Sequence, residues 1–346
     1  MALSEVKRKE RIDRPIKVHS DDMYVLASFK TMLYLAGPRI FPALTLLIIP
    51  LLVPSVYTVR VVIASCVIAM LAMNFDFLLH SVGLVSLGGA LFFGLGAYTA
   101  GSLNYYYGIN PYITMPMGTL IGAAIATLLL LPCLPLRGIY FALVTLIFPL
   151  FFSKIIEATL ILGGTDGLIG IKSMVEGFPH PFDLWIEAYL IISATLLTLF
   201  TLRRIYRCTD LGLVLNAIKD NDQAVKASGI NITLYKALAV FIAALPSSFA
   251  GAYVTHLYNW VGLSHWSLDY SILPIAASVV GGMGTIAGPM LGSFILVPLA
   301  EYLREFGSLR VAFYAMALVA FIVLWPEGII NWLSRKYHQL ERWVKV

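Results

Sequence analysis

Three pairs of ionisable residues at helical spacing are where this chain could carry out proton or ion chemistry. The pairs are Asp76 with His80, Lys154 with Glu157, and Glu301 with Arg304. Residues three or four apart lie side by side on a helix, so the members of each pair can interact. All three pairs lie near the ends of apolar runs, and no line of acidic residues crosses the middle of such a run. We therefore expect structural pairs rather than a path for protons or sodium ions.

The short motifs of enzyme chemistry are missing from the sequence. No GxxxxGK[ST] loop, HExxH, CxxC or GxSxG occurs, and the glycine clusters at 88–96 and 281–292 lack the lysine of a phosphate-binding loop. The histidines are scattered, and Cys66, Cys133 and Cys208 have neither disulfide nor metal-site spacing. We expect no catalytic residue, no metal site and no cofactor bound by the chain itself, which is therefore predicted not to be an enzyme.

The elements that position these residues are predicted to be membrane helices. The chain has 346 residues, of which 59% are hydrophobic and 12% charged, and its mean hydropathy is +0.84. Soluble domains are about 45–50% apolar and about 25% charged, so this composition leaves too little polar surface for a water-soluble fold. Since helices satisfy the backbone in lipid and the apolar runs are too long for barrel strands, we predict an all-α polytopic bundle of about 8–10 transmembrane helices.

The candidate spans are the long apolar runs of the sequence: 40–58, 60–79, 86–107, 113–134, 139–162, 184–202, 237–258, 271–286, 288–303 and 311–332. Two segments, 83–101 and 278–293, are rich in glycine and are predicted to be broken or re-entrant. Paired interrupted helices indicate a substrate site near the middle of the membrane. The alternative for any single glycine is tight helix packing without substrate contact.

Basic residues predict the orientation of the chain. Of the 24 Lys and Arg residues, 18 lie in three segments, namely 1–39, 203–236 and 335–346. Positive residues collect on the cytoplasmic side, so we expect all three segments and both termini there. This gives a cytoplasmic N-terminal segment 1–39, a transmembrane domain 40–334 and a cytoplasmic tail 335–346. Within the first segment, 21–36 is either an interfacial helix or a structured tail.

The segment 203–236, called the basic segment below, is the polar exception in an apolar chain. Residues 211–219 favour a short helix, and Asn221 or Asp222 can cap the start of a second one. Gly229 stands where a left-handed residue would end that second helix. We expect such a short, doubly capped helix to dock on a soluble partner, whereas a solvated hairpin is the alternative.

Two loops, 163–183 and 256–270, are predicted to lie outside the cell. The second carries several aromatic and imidazole side chains: His256, Tyr258, Trp260, His265 and Trp266. They are either an aromatic belt at the membrane surface or part of a docking surface for an extracytoplasmic protein.

Several motifs, in the right order over 60–332, resemble the permeases of ABC importers of the branched-chain amino-acid type (LivM-like). The basic segment, LNAIKDNDQAVKASGIN, is similar to their cytoplasmic loop. Further matching runs are LRGIYFALVTLIF (136–148), GGTDGLIGI (163–171), VSLGGALFFGLGAYTAG (85–101), VVGGMGTIAGPMLGS (279–293) and WPEGII (325–330).

The resemblance implies one subunit of an importer in a prokaryotic plasma (inner) membrane. Its implied partners are a second, LivH-like permease, two ATPase subunits that hold ATP and Mg, a periplasmic or lipid-anchored binding protein, and membrane lipid, with no role for nucleic acid. The basic segment would be the coupling helix that sits on an ATPase subunit. Its implied core residues are Asp220, Asn221, Asp222, Ala224 and Gly229.

The same resemblance places the translocation pathway at Ser86, Gly88, Phe92, Phe93, Thr145 and Gly282. Two positions depart from the family pattern, since Leu84 replaces a polar Gln and Gly89 replaces a His. Both changes remove hydrogen-bonding side chains. Branched-chain or related amino acids are the first expectation for the substrate, and urea, short amides and aromatic or less polar carboxylates are the alternatives.

Two functions of another class stay open from the sequence. An ion-coupled secondary carrier or channel would transport without partners, but the chain lacks charges across its apolar runs. A membrane scaffold would use the basic segment to recruit a soluble protein without transport.

Overall fold

The computed structural model describes residues 55–136, 138–175, 182–303, 315–316, 319–321, 323–324 and 327–340. The N-terminal segment 1–39 with the candidate helix over 21–36 lies outside the described residues, as do most of the candidate span 40–58 and part of the candidate span 311–332.

Helices make up most of the described chain. They are α1 (Val56–Val82), α2 (Gly89–Tyr107), α3 (Pro111–Leu130), α4 (Ile139–Ala158), α5 (Phe182–Cys208), α6 (Asp210–Ala227), α7 (Ile232–Tyr258), α8 (Asp269–Gly281), α9 (Ala287–Tyr302) and α10 (Ile329–Leu340). Short 3-10 turns cover Leu131–Cys133, Leu160–Leu162 and Leu263–Trp266. Two-residue strands, β1 (Leu168–Ile169) and β2 (Trp260–Val261), pair antiparallel.

The prediction of an all-α membrane bundle is confirmed. Among the described residues, 5 helices are long and apolar enough to cross a membrane, namely α1, α3 with the turn that follows it, α4, α5 and α7. By contrast, α8 has 13 residues and is about 20 Å long, which is less than the roughly 30 Å of hydrocarbon.

Helix α1 lies at the centre of the bundle. In its most apolar window, 89% of the residues are buried, against 28% in α4. Helices α5, α7, α8 and α9 all pack on α1, while α2, α3 and α7 pack on one another. Because α4 exposes most of its apolar side chains, that helix presents its surface to lipid or to another protein.

Small residues bring α2, α3 and α7 into backbone contact. A Cβ atom at Gly96 would collide with the carbonyl oxygen of Ser248, and one at Gly251 would collide with the carbonyl oxygen of Phe93. A Cβ at Gly122 would lie 2.9 Å from the Cα of Gly96. Close approach of this kind is the main use of small residues between membrane helices.

Each glycine-rich segment contains a non-helical stretch, although α2 itself is continuous. Helix α2 begins at Gly89 and is preceded by the non-helical residues 83–88, while residues 282–286 separate α8 from α9. The candidate spans 271–286 and 288–303 are therefore two short helices joined by a turn, not two full crossings.

Two other boundaries differ from the sequence-based prediction. Residues 56–58 belong to α1, whose start is the extended Ser55, so the predicted break between 58 and 60 is wrong. The basic segment is almost wholly helical, because α5 continues to Cys208 and α7 begins at Ile232. The two short helices predicted here, over 211–219 and after Asn221, are both present within α6 (Asp210–Ala227).

Candidate functional site

A short helix in the basic segment is the first candidate site. Asn221 interrupts α6 with extended backbone angles (φ −156°, ψ 97°). Its Oδ1 accepts hydrogen bonds from the amides of Gln223 at 3.1 Å and Ala224 at 3.2 Å. These two bonds satisfy amides that have no partner inside a helix, so Asn221 is the N-cap of a separate helix over 222–227.

The far end of this short helix is closed as well. The Ser228 amide donates to the carbonyl of Ala224 at 3.2 Å, and Gly229 has φ +85°. A residue with positive φ after the last turn stops a helix, and glycine takes that conformation without strain. The local geometry thus agrees with the caps deduced from the sequence at both ends.

One face of the short helix is fixed and the rest is exposed. Val225 is buried against the bundle, whereas Asn221, Gln223, Ala224 and Gly229 are exposed and Asp222 is half-buried. Behind the helix lies an open cleft of about 580 Å³, whose other walls include Leu134, Pro135, Ile232, Thr233 and Lys236. A rigid, protruding helix beside a cleft is a shape that another protein can bind.

Removal of the N-cap is expected to loosen this helix. Asn221→Ala deletes both side-chain bonds and destabilises the helix by about 1 kcal/mol, which is a roughly fivefold change in local opening. Hydrogen–deuterium exchange of the amides in 222–228 measures this opening. Gln223→Ala, an exposed change on the same helix, is the control and should leave exchange unaltered.

The interruption before α2 is the second candidate site. The Leu87 amide donates to Thr145 Oγ1 at 2.9 Å, and the Gly88 amide donates to Ser86 Oγ at 3.4 Å. The predicted pathway residues Ser86, Gly88 and Thr145 therefore lie together at the start of α2, where α4 touches it.

The start of α8 meets the start of α2 at the same place. The Ala90 amide donates to Ser271 Oγ at 3.1 Å. A Cβ at Gly89 would lie 2.5 Å from the carbonyl oxygen of Tyr270. The absence of a larger side chain at Gly89 thus has a structural reason, the close approach of α8, while Leu84 is simply buried.

A small cavity lies between these two helix starts. Its volume is about 10 Å³, and its lining residues are Leu71, Asn74, Phe75, Ser86, Gly89, Phe92, Ser271 and Pro274. Such a volume holds roughly one water molecule. Asn74 is 2% exposed and donates to Ser247 Oγ at 2.6 Å, while its Oδ1 has no partner among the described residues. The interruption is therefore closed in this structure.

Aromatic rings close the opposite side of the same region. Phe93 stacks on Tyr270 with ring centroids 4.1 Å apart and on His265 at 5.7 Å. Burial lowers the pKa of His265 to about 4 because the charged imidazole would lose its solvation. The imidazole is therefore neutral at physiological pH, and this part of the bundle carries no charge from it.

Gly282 does not join the other predicted pathway residues. It lies in the turn after α8, where its neighbours are Glu327, Gly328 and Asn331. Eleven residues along α8 separate it from Ser271, which corresponds to about 16 Å. The prediction grouped Gly282 with Gly88 because both lie in glycine-rich motifs of the family, and the motifs do not show that the two glycines lie at opposite ends of α8.

The three ionisable pairs predicted from the sequence differ in their structural roles. Lys154 and Glu157 form an exposed ion pair at 2.7 Å, which contributes little to stability. Asp76 is buried and bonded to the turn between α8 and α9 rather than to a proton path. Arg304 lies outside the described residues. Within the described ranges, no group of three His, Cys, Asp or Glu side chains could hold a metal ion.

The end of the bundle opposite α6 is tied together by main-chain and imidazole bonds. Trp260 Nε1 donates to the carbonyl of Asp166 at 3.0 Å. The ring of His256 bonds to Thr114 Oγ1 at 2.8 Å and to the carbonyl of Lys172 at 2.9 Å. His256, His265 and Trp266 are buried, so neither a belt nor a docking surface describes them correctly. They pack the loops onto the helices.

Sequence reasoning missed Asn74 and Ser271 as neighbours of the interruption. Asn74 lies in the middle of an apolar run, where an unpaired amide is costly, and that signal could have identified it. Ser271 has no such signal, because serine is common in membrane helices and its contact depends on how α8 meets α2.

Comparisons with known proteins identify a family. The family model for the permease component of branched-chain amino acid transport systems matches residues 57–325. The chain is 30% identical over 272 residues to the high-affinity branched-chain amino acid transport system permease protein LivM of Salmonella typhimurium, which covers 72% of this chain and 64% of that relative. It is 28% identical over 297 residues to LivM of Escherichia coli, covering 79% of this chain and 70% of the relative.

A weaker relative carries the name of a different permease protein. The probable permease protein LivH of Methanocaldococcus jannaschii is 24% identical over 213 residues, which covers 58% of this chain and 66% of the relative. The chain spans less than two thirds of the length of the Salmonella LivM protein described above. No solved structure matches it.

Proposed function

We propose that this chain, which belongs to the family of permease components of branched-chain amino acid transport systems, is the transmembrane subunit of an ATP-driven importer. The capped helix over 222–227 is the observation that carries the proposal. A helix held by Asn221 and Gly229 and exposed on its outer face supports a role as the coupling element that ATPase subunits bind.

The proposed coupling residues are Asp220, Asn221, Asp222, Ala224 and Gly229. Asp220, Asn221 and Ala224 are exposed, as a docking face requires, and Asn221 with Gly229 fixes the helix ends. Closure of the ATPase subunits around ATP and Mg would move this helix. In this proposal the basic segment and both termini are cytoplasmic and the membrane is the prokaryotic inner membrane.

The proposed pathway runs past the interruption where α2 and α8 begin. Ser86, Gly88, Phe92, Phe93 and Thr145 lie there, together with Asn74 and Ser271. Interrupted helices at such a site offer backbone groups to a polar substrate. Since the cavity is closed, transport requires the two helix starts to separate. Gly282 belongs instead to the turn that joins α8 and α9.

The proposed substrate is a branched-chain or related amino acid, in keeping with the names of the relatives. The proposed partners are a LivH-like second permease, two ATPase subunits and a periplasmic or lipid-anchored binding protein. Exposed apolar side chains on α4, including Ile139, Leu143, Ile147 and Phe151, support contact with lipid or with the second permease.

Reconstitution tests the proposal. The chain is purified with a LivH-like permease and ATPase subunits from the same organism and placed in liposomes with a binding protein of that transport system. We expect leucine uptake that needs ATP and exceeds uptake with ADP by about tenfold or more. Competition by unlabelled isoleucine, urea, acetamide and benzoate ranks the substrate classes.

Two outcomes would contradict this function. Uptake by the purified chain alone, driven by an ion gradient, indicates a secondary carrier. Recruitment of a soluble protein without any ATP-dependent uptake, in a complex that contains both ATPase subunits, indicates a scaffold.

A further inference from the structure

A buried carboxylate in α1 binds the turn between α8 and α9. Asp76 has no exposed surface. Its Oδ1 accepts the amide of Gly284 at 2.6 Å and its Oδ2 accepts the amide of Ile286 at 3.0 Å. Each carboxylate oxygen thus has its own backbone donor, an arrangement that makes strong hydrogen bonds because the acceptor can carry charge.

The turn that Asp76 holds has an unusual backbone. Gly284 has φ +84°, and Ile286 has φ +58°, although a β-branched residue rarely takes a positive φ. Backbone strain of this kind persists where the surroundings enforce it. The two hydrogen bonds that Asp76 accepts lie at Gly284 and Ile286, the two residues with positive φ. Beside this turn α8 and α9 are in direct backbone contact, because a Cβ at Gly281 would collide with the carbonyl of Gly288.

The same end of α1 touches the basic segment. A Cβ at Gly83, the residue that ends α1, would lie 3.5 Å from Cγ of Lys219, which immediately precedes the coupling residues. The His80 ring lies 5.4 Å from the ring of Tyr206 in α5. A Cβ at Gly284 would lie 2.7 Å from Cε1 of His80, so the turn rests on that imidazole.

The other end of α8 reaches the interruption. Helix α8 is continuous from Asp269 to Gly281, and Ser271 near its start accepts the Ala90 amide. A displacement of the turn is therefore passed along α8, which contains Pro274, to the point where the pathway is closed. Asp76 is the described side chain that bonds α1 to this turn through both of its oxygens.

We propose that Asp76 is a positioning residue for coupling, which transmits movement of the basic segment through the 282–286 turn to the start of α8. The inference rests on the proposed importer function and adds a residue outside the coupling helix and outside the pathway. The sequence predicts Asp76 and His80 to be a structural pair at a helix end. In this proposal they take part in the conformational change that couples the basic segment to the pathway.

Three substitutions of Asp76 test the proposal in the reconstituted complex. Asp76→Leu and Asp76→Ser remove both acceptors, whereas Asp76→Asn keeps one oxygen at the same reach. Loss of hydrogen bonds to a charged group shifts the equilibrium between the attached and the released turn by about tenfold or more. We expect Leu and Ser to lower amino-acid uptake per ATP hydrolysed by about tenfold, with ATP hydrolysis per assembled complex within about twofold of wild type. Asn keeps one acceptor but turns an NH2 donor toward the other backbone amide, so we expect its ratio to lie between those of Ser and wild type.

Ser65→Ala is the matched control. Ser65 is also buried in α1, but its hydroxyl donates within the helix to the carbonyl of Val61 at 2.8 Å and does not reach the turn. Its substitution should leave the uptake-to-ATP ratio unchanged. An unchanged ratio in Asp76→Ser, or equal losses in Asp76→Ser and Ser65→Ala, would overturn the proposal.

A second measurement does not depend on transport. Hydrogen–deuterium exchange of Gly284 and Ile286 should rise about tenfold in Asp76→Ser, and the amides around Ser65 should not change. Exchange at the turn that stays at the wild-type rate also refutes the role of Asp76. Wild-type uptake in the same vesicles tests the importer function separately, so failure of one is distinguished from failure of the other.

Discussion

Gly96→Leu is expected to prevent normal assembly of the bundle. Any side chain at this position must displace the backbone of Ser248, because even the Cβ atom collides with its carbonyl oxygen. Helix backbones cannot yield as a flexible side chain does, so the overpacking cost should exceed the usual 1–3 kcal/mol. We expect little monodisperse protein in detergent, and a melting temperature lower by about 6 °C or more in the fraction that folds.

The matched control for this change lies on the neighbouring helix. Gly122 faces Gly96, and Gly122→Leu should therefore behave like Gly96→Leu. Ala124, two residues further along α3, is exposed, and Ala124→Leu adds the same bulk towards the surface. Yield and melting temperature of Ala124→Leu should equal those of wild type. Tolerance of Gly96→Leu with full yield would mean that α2 and α7 do not pack as described.

Features that depend on local chemistry could be predicted from the sequence. Asn221 and Gly229 were recognisable as helix caps because their side chain and backbone preferences act within a few residues. The helical class followed from composition, and the interruptions in the glycine-rich segments followed from the low helix propensity of glycine. None of these predictions requires knowledge of how distant helices meet.

Features that depend on long-range packing could not be predicted. Asp76 was paired with His80 by spacing, but its carboxylate binds amides more than 200 residues away. His265 and Trp266 were assigned to a surface, yet the chain folds back after α7 and buries both. Gly282 and Gly88 were grouped although they lie near opposite ends of α8. Spacing along the chain gives neighbours on one helix, not neighbours across a bundle.

Gly229→Val is expected to reduce ATP-driven transport strongly while leaving the bundle folded. Gly229 has φ +85° and no atom within 4 Å of an added Cβ, so the substitution meets no steric barrier other than the backbone conformation. A β-branched residue in the left-handed region costs about 1–2 kcal/mol, which favours a different end for the short helix. Since the proposed coupling helix must present a fixed surface, we expect uptake to fall by about tenfold or more.

Gly108→Val supplies a control with the same strain elsewhere. Gly108 also ends a helix, has φ +63° and has no atom within 4 Å of an added Cβ, but it lies at the end of α2, remote from the basic segment. Both variants should lose similar stability, and Gly108→Val should keep uptake within about twofold of wild type. Equal uptake in the two variants would show that strain, not coupling, sets the result.

Bulk and charge on the exposed face test docking without backbone strain. Ala224→Trp enlarges the outer face of the short helix, and Asp222→Lys reverses a charge at its start. Both should reduce co-purification of the ATPase subunits, because a clash or a misplaced charge at the centre of an interface costs about 2 kcal/mol or more. Ala158→Trp, at the exposed end of α4 away from the basic segment, should not affect it. If Ala224→Trp, Asp222→Lys and Gly229→Val all retain ATPase subunits and uptake, the helix over 222–227 is not the coupling element, and the ATPases must bind another surface of the chain.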